Sequence, residues 1–437
     1  MYRIIVTTTL CLLAIASNAQ DVLTLDAAIQ TGIQNNYSIR IAKNDAGIAS
    51  NNVTVGNAGF LPSVDAYATL SQAINNSNQK YLSGDEVQKT GAKNTVGTAG
   101  IGLTWTLFDG LSMFVSHDQL KLLEENGNAL LKQQIENTMS LIMAAYYDVL
   151  LEQSLLSALN EQKDISLFRK ELLDARLSVG SASRIEVLKA TVDLNGDQTA
   201  AIQQQAEVQK IKVRLNQLLA RDVNTEFAVD TAVNWNTTLT YDQLRQDLLA
   251  HNSELLISNQ YLQLAALNMK QTTAKRYPII GVNTGYDFLQ SSSESGFVSA
   301  NKTTGFYYGL SASINIFDGF NVNRQHQNDK IRVASGQLEV EQTQLAIETE
   351  LKRIFLDYQN NLQLVDLEKS NLTYANENLA IAQESYTIGR LSDLELREIQ
   401  KNLVDAKVRL ADAQFKAKLQ ETDLLRITGN LVKYGMN

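Results

Sequence analysis

Proline, cysteine and histidine are all scarce in this chain, and each scarcity narrows what it can be. Only two prolines, Pro62 and Pro278, occur in 437 residues. Proline breaks helices, so a chain with so few has room for very long ones. The single cysteine, Cys11, falls in a leader-like opening. Met1-Tyr2-Arg3 is a short basic start, an apolar run follows from Ile4 to Ala16, and small residues close it at Ser17-Asn18-Ala19. Charge, greasy core and cut site in that order predict a secretory signal over residues 1–19. Its removal leaves no thiol chemistry, disulfide or cysteine metal ligand. No later stretch holds eighteen consecutive apolar residues, so no transmembrane helix is expected.

Chemical motifs are thin as well. A net charge of -9 argues against nucleic acid as a partner. Of the three histidines, His117 and His326 stand at matching places of a repeat, and no clustered carboxylates complete a ligand set around them. Gly97-x-x-Gly100-x-Gly102 lacks the Gly-Lys-Ser/Thr ending of a phosphate loop. No metal, cofactor or catalysis is expected.

What the chain does have is a second copy of its own plan. Phe108-Asp109-Gly110 returns as Phe317-Asp318-Gly319, an offset of 317 − 108 = 209. The same offset carries Gly180 to Gly389, Ser183 to Ser392, Glu186 to Glu395 and Leu194 to Leu403. Pro62 and Pro278 differ by 216, which fits a first-half loop about seven residues longer than its counterpart. An internal duplication follows, with repeats at 20–222 and 241–437 and a polar connecting segment at 223–240.

Each repeat opens with a helix, about Leu25 to Asn57 and about Tyr241 to Lys275, stopped near the proline. Two strand-like segments around a polar loop come next. Val64, Ala66, Ala68 and Leu70 alternate with Ser63, Asp65, Tyr67 and Thr69, and Ile101, Leu103, Trp105 and Leu107 alternate with Gly102, Thr104 and Thr106. In the second half Ile280, Val282, Tyr286 and Phe288 oppose Gly281, Asn283, Gly285 and Asp287, while Phe306 to Ile316 repeats the alternation. One apolar and one small or polar face suits a barrel wall between lipid and a wet lumen, and it suits any half-buried antiparallel sheet too. Aromatic residues near the strand ends favour the membrane interface. The lipid-facing positions are then Val64, Ile101, Leu103, Trp105, Ile280, Val282, Leu310 and Ile314.

After each Phe-Asp-Gly the period becomes helical. Ile135, Met139, Ile142, Tyr146 and Val149 step at coiled-coil intervals, as do Ile347, Leu351, Ile354 and Tyr358, then Val365, Leu372, Leu379 and Tyr386 at sevens. Such helices would hold about 67 residues and be about 100 Å long. They turn at Val179-Gly180-Ser181 and Ile388-Gly389-Arg390 and return to about Ala220 and Thr428. Four short strands cannot close a barrel, and open edges are not tolerated in lipid. Several chains must therefore pool strands: two would give eight, three would give twelve. The rival reading is a secreted or periplasmic coiled-coil scaffold whose strands pack as a small soluble sheet.

The order of elements resembles the TolC family of outer membrane efflux proteins over nearly all of the mature chain. The Leu-Phe-Asp-Gly and Ile-Phe-Asp-Gly junctions carry the resemblance, with Tyr386-x-x-Gly389 followed by Ser392, Asp393, Gln400, Leu403 and Ala406, and the ending Leu424-Leu425-Arg426-Ile427-Thr428-Gly429. One departure is that the family's Asn-Pro in each first helix reads Asn36-Tyr37 and Asn252-Ser253 here. The resemblance implies a mostly α fold with a membrane β-barrel portion, closed by a homotrimer into twelve strands above a periplasmic helical tunnel. It implies a channel in outer membrane lipid, serving a periplasmic adaptor and an inner-membrane transporter of RND or ABC type for efflux or type I secretion. The adaptor would meet the tips, Val179, Gly180, Ser183, Ile388, Gly389 and Ser392. Acidic residues six and nine positions beyond Gly389, Glu395 and Glu398, would ring the periplasmic entrance. The plain alternative for those two is a solvated helix face with Arg397 in passing contact.

Overall fold

The computed structural model describes residues 22–230, 235–236, 238–295 and 297–434, so the expected leader with Cys11 lies outside the described residues. In chain order the elements are β1 (Val22–Leu23), α1 (Leu25–Asn35), α2 (Tyr37–Asn51), β2 (Ser63–Lys80), β3 (Glu86–Phe108), α3 (Ser112–Ser178) and α4 (Arg184–Leu218). Then follow β4 (Ala228–Val229), α5 (Tyr241–His251), α6 (Ser253–Ala274), β5 (Ile279–Ser293), β6 (Ala300–Ser313), α7 (Asn321–Thr387), α8 (Asp393–Ile427) and α9 (Leu431–Tyr434). Contacts divide the chain into two units. One comprises the chain up to Ile41, Gln133–Asn252 and Ala346 onward; the other comprises Ala42–Lys132 and Ser253–Leu345.

The first unit is held by the seams the periodicity predicts. Met139, Ile142, Tyr146 and Val149 of α3 are buried against Ile29, Leu215, Leu219 and Phe227. Ile347, Leu351, Ile354, Tyr358, Val365, Leu379 and Tyr386 of α7 are buried likewise, with Leu372 half-buried. Both long helices measure 67 residues, as expected from the absence of proline and the sustained seam.

The first helix of each half is not continuous, which corrects the expected run from Leu25 to Asn57 and its counterpart. Asn36 and Asn252 each leave the helical region, at ψ 127 and 123. Asparagine breaks the helix here without a proline after it. The Asn36 Oδ1 accepts from the N–H groups of Ser38 (2.9 Å) and Ile39 (3.4 Å), restarting the helix as a cap. Its Nδ2 donates to the Leu218 carbonyl (2.8 Å), at the last residue of α4, and Asn252 Nδ2 donates to the Ile427 carbonyl (2.8 Å), at the last residue of α8. Removing either side chain leaves a helix-end carbonyl without this donor. Asn36→Ala and Asn252→Ala are each expected to cost about 1–3 kcal/mol, read as a lowered urea midpoint of the helical signal. No change would mean that the break is set elsewhere. Gly429 (φ +68) serves the same junction, because a Cβ there would fall 2.3 Å from the His251 carbonyl oxygen.

The second unit holds one antiparallel sheet in the order β2-β3-β5-β6. Its strands are not short: they run 18, 23, 15 and 14 residues. The expected polar loops are mostly strand, leaving only residues 81–85 and 294–299 as connections. The extra first-half residues therefore lengthen a hairpin rather than a loop, since Ser, Thr, Asn and Gln there keep pairing up to Lys80↔Glu86. At the other end both Phe-Asp-Gly corners run left-handed through two residues, Gly110 then Leu111 and Gly319 then Phe320. A Cβ on Gly110 would stand 2.4 Å from the Ala274 carbonyl oxygen, so the corner excludes any larger residue.

Candidate functional site

The two hairpin tips are built alike. At the first, Gly180 (φ +76) donates to the Leu177 carbonyl and Ser181 to the Arg176 carbonyl; at the second, Gly389 (φ +77) donates to Tyr386 and Arg390 to Ser385. That pair of bonds closes a helix on a left-handed residue. The return helix then starts with a capping box, Ser183 with Glu186 and Ser392 with Glu395. Val179 and Ile388 stand exposed at the apices, 78% and 65%.

Glu395 thus has a local task. Its Oε2 accepts from the Ser392 backbone N–H (2.9 Å) and hydroxyl (2.6 Å), and these bonds hold its carboxyl below the usual carboxylate range. Glu186 is depressed in the same way by Ser183. Glu398 is exposed one turn further on, where the first half has Lys189. A carboxyl depressed on folding contributes stability above its unfolded pKa and loses it as pH falls through the folded value. Amide exchange at the start of α8, corrected for its intrinsic pH dependence, is expected to quicken as pH drops below the usual carboxylate range. In Glu395→Gln, which keeps an acceptor without a charge, that extra quickening should vanish.

Sequence reasoning missed the strongest feature of the tips, a set of arginines binding one hairpin to the other. Arg397 pairs across to the other hairpin. It forks onto Asp197 with bonds of 2.7 and 2.8 Å, and Asp197 also accepts from Ser166 (2.6 Å) and Gln162 (2.5 Å). Arg169, fully buried on α3, donates to Asp193, and its Nε stands 3.4 Å from Asp393. Arg176 donates to the carbonyls of Tyr386 (2.8 Å) and Thr387 (3.0 Å) and stacks over the Tyr386 ring. Burial, with the Asp393 charge beside it, pushes the Tyr386 phenol up to about 12. Four helices, α3, α4, α7 and α8, are joined by these contacts. The available signal was a failure of the repeat: offset 209 sets Arg184 against Asp393 and Leu188 against Arg397.

The sheet is the second candidate site. In antiparallel pairing, directly opposed residues share a face. One row joins Val64, Leu103, Thr284 and Tyr308; the next joins Ala66, Ile101, Tyr286 and Phe306; a third joins Trp105, Val282 and Leu310. Ile280 pairs with Phe108 and Ala312 just past a bulge and extends this face. Ile314 lies one residue past the end of β6 and is exposed. On the opposite face Asp65, Gly102, Gly285 and Tyr307 form one row, and Tyr67, Gly100, Asp287 and Gly305 the next. The glycines give the tyrosines room: a Cβ on Gly285 would meet the Tyr307 hydroxyl at 2.7 Å, and one on Gly100 the Tyr67 hydroxyl at 2.8 Å. Tyr67 donates to Asp287.

No helix of the described residues is long and apolar enough to cross a membrane, and no group of three or more metal-ligating side chains converges among them. A sheet with one apolar and one small, polar face, joined to paired coiled-coil hairpins, is the plan of an outer membrane channel. The model of the outer membrane efflux protein family matches residues 28–221 and 244–430, and the chain belongs to that family. It is 21% identical over 423 residues to outer membrane efflux protein BepC of Brucella suis biovar 1 (strain 1330), covering 93% of this chain and 86% of BepC. Among solved structures it is similar to the Campylobacter jejuni CmeC outer membrane channel (TM-score 0.77, 14% identity, 93% of this chain and 86% of that one). It is also similar to the open state of the Neisseria gonorrhoeae MtrE outer membrane channel (TM-score 0.70, 15% identity, 93% and 89%). The chain is an exit duct for efflux or secretion at the outer membrane, and the scaffold reading is set aside.

Proposed function

We propose that three copies pool their strands into one twelve-stranded barrel and conduct cargo passively, without catalysis, as two tandem repeats at 20–222 and 241–437 joined by 223–240. The observation that carries this reading is the sheet order. β2 and β6 each keep one unpaired edge, and an open edge in lipid leaves a row of backbone groups without partners. Val64, Leu103, Ile101, Trp105, Ile280, Val282, Leu310 and Ile314 face lipid. The tip residues Val179, Gly180, Ser183, Ile388, Gly389 and Ser392 meet a periplasmic adaptor, which links the duct to an inner-membrane transporter of RND or ABC type. Three chains bring Glu395 and Glu398 together as six carboxylates around the entrance, a cation-attracting constriction.

Light scattering of the detergent-purified protein is expected to give a trimer and no folded monomer; a monodisperse monomer with full β signal would sink the shared barrel. Glutamine is the right replacement at the entrance, because alanine at 395 would also break the capping box. Glu395→Gln with Glu398→Gln is expected to weaken cation preference and block by a trivalent cation in planar bilayers. Unchanged selectivity would assign both residues to a solvated helix face.

A further inference from the structure

The two faces of the sheet differ in the sign of the charge they carry. From the row of Ile280 up to that of Ile74, the small face bears Asp65 and Asp287 and no other carboxylate, lysine, arginine or histidine. The apolar face over the same rows bears only Lys302 and Lys93. Both lysines are exposed, and both lie toward the hairpin connections, at the end of the sheet opposite every helix junction. Lys302 comes one row beyond Phe288 on the same face, its ammonium 5.4 Å from the Phe288 ring centroid. Lys93, opposite Ile74, comes two rows further. The Glu294 carboxylate, just past β5, accepts from the Lys93 backbone N–H (3.0 Å).

A residue order of apolar, aromatic, then lysine is what a side chain needs to lay its stem on hydrocarbon and its charge among headgroups. The apolar rows from Ile280 to Phe288 span nine residues of β5, which is close to one tilted membrane crossing. β2 and β3 continue well past that height, so both ammonium groups sit where the leaflet carries its phosphates. We propose that Lys302 and Lys93 bind the phosphate groups of the lipid leaflet surrounding the free end of the sheet, preferring a phosphorylated glycolipid to a zwitterionic phospholipid. The proposal rests on the reading that the apolar face meets lipid. No carboxylate lies on this face from the row of Ile280 to that of Ile74; three rows past Ile74 the face ends on Lys80 opposite Glu86.

The test uses the full-length assembly in nanodiscs of phosphatidylcholine containing a minor share of lipid A, with bound lipid counted by native mass spectrometry. Wild type is expected to enrich lipid A. A membrane-surface lysine is worth about fivefold in such a preference, about 1 kcal/mol. Lys93→Gln with Lys302→Gln should therefore lower the enrichment by roughly 25-fold, and raising salt should lower it in wild type alone. Equal enrichment in both proteins overturns the proposal. Loss of enrichment on adding inorganic phosphate at millimolar strength also overturns it, since the site would then be a phosphate site and not a lipid one. Failure of wild type to enter nanodiscs of either composition would instead refute the lipid-facing assignment of the sheet, and this proposal with it.

Discussion

Placing arginine at Leu103 is expected to cost about 2–4 kcal/mol of folding stability in a bilayer, while the same change one residue on, at Thr104, is expected to be mild. Leu103 lies in the middle of the apolar rows, between Val64 and Thr284. A guanidinium there would have to be held in hydrocarbon or drag water to itself. Thr104 lies between Ser63 and Asn283 on the other face, where a long cation meets polar groups and, in the proposed barrel, the lumen. Urea titration of protein refolded in vesicles would measure both. Equal losses would mean that the two faces are not lipid and lumen.

The second large effect belongs to the tips. Arg397→Ala leaves Asp197 95% buried with only Ser166 and Gln162 as donors (side-chain exposure 5%). Breaking a buried pair from one side costs about 3–5 kcal/mol, and the partial exposure of Arg397, 29%, puts this case near or below the lower bound. The loss should be local: faster amide exchange in α4 and α8 near the tips, with the Met139–Val149 seam unchanged. Adding Asp197→Ala should recover much of it, because the stranded charge goes too. Arg353→Ala is the contrast. Its pairs with Glu350 and Asp357 are at the surface, and such pairs are worth about 0–1 kcal/mol. An Arg397→Ala effect no larger than that of Arg353→Ala would show that the inter-hairpin pair is not structural.

Parts of this architecture are legible in the sequence and parts are not. Hydrophobic spacing located the buried seams of α3 and α7 residue by residue, because a coiled coil repeats its pattern for tens of residues and errors average out. The period-two faces of the strands were legible for the same reason over shorter runs. Strand length was not, since above the apolar rows both faces turn polar and the alternation has no contrast, although the backbone still pairs. Asn36 and Asn252 were noticed only as lost prolines; that an asparagine amide can cap one helix and hold the carbonyl of another is a three-dimensional fact. The arginine contacts were hidden because each joins residues 24 to 231 positions apart, with no local signature. Glu395 was read as free charge, but the Ser-x-x-Glu pattern at 392–395 already spelled a cap.

The pairing of β3 with β5 has a consequence for the order in which the protein forms. Phe108 and Ile280 are neighbours across that ladder yet 280 − 108 = 172 positions apart. Closing an unstructured loop of that size would cost roughly 4–5 kcal/mol in chain entropy before the first bond repaid any of it. The β2–β3 and β5–β6 hairpins need no such closure, as five and six residues link them. Two separate hairpins should therefore form early. They should join only after α3 and α4 have paired and shortened the effective loop, so that helical signal leads the last of the β signal during refolding. A variant that weakens the α3–α4 seam would then slow completion of the sheet without touching a single strand.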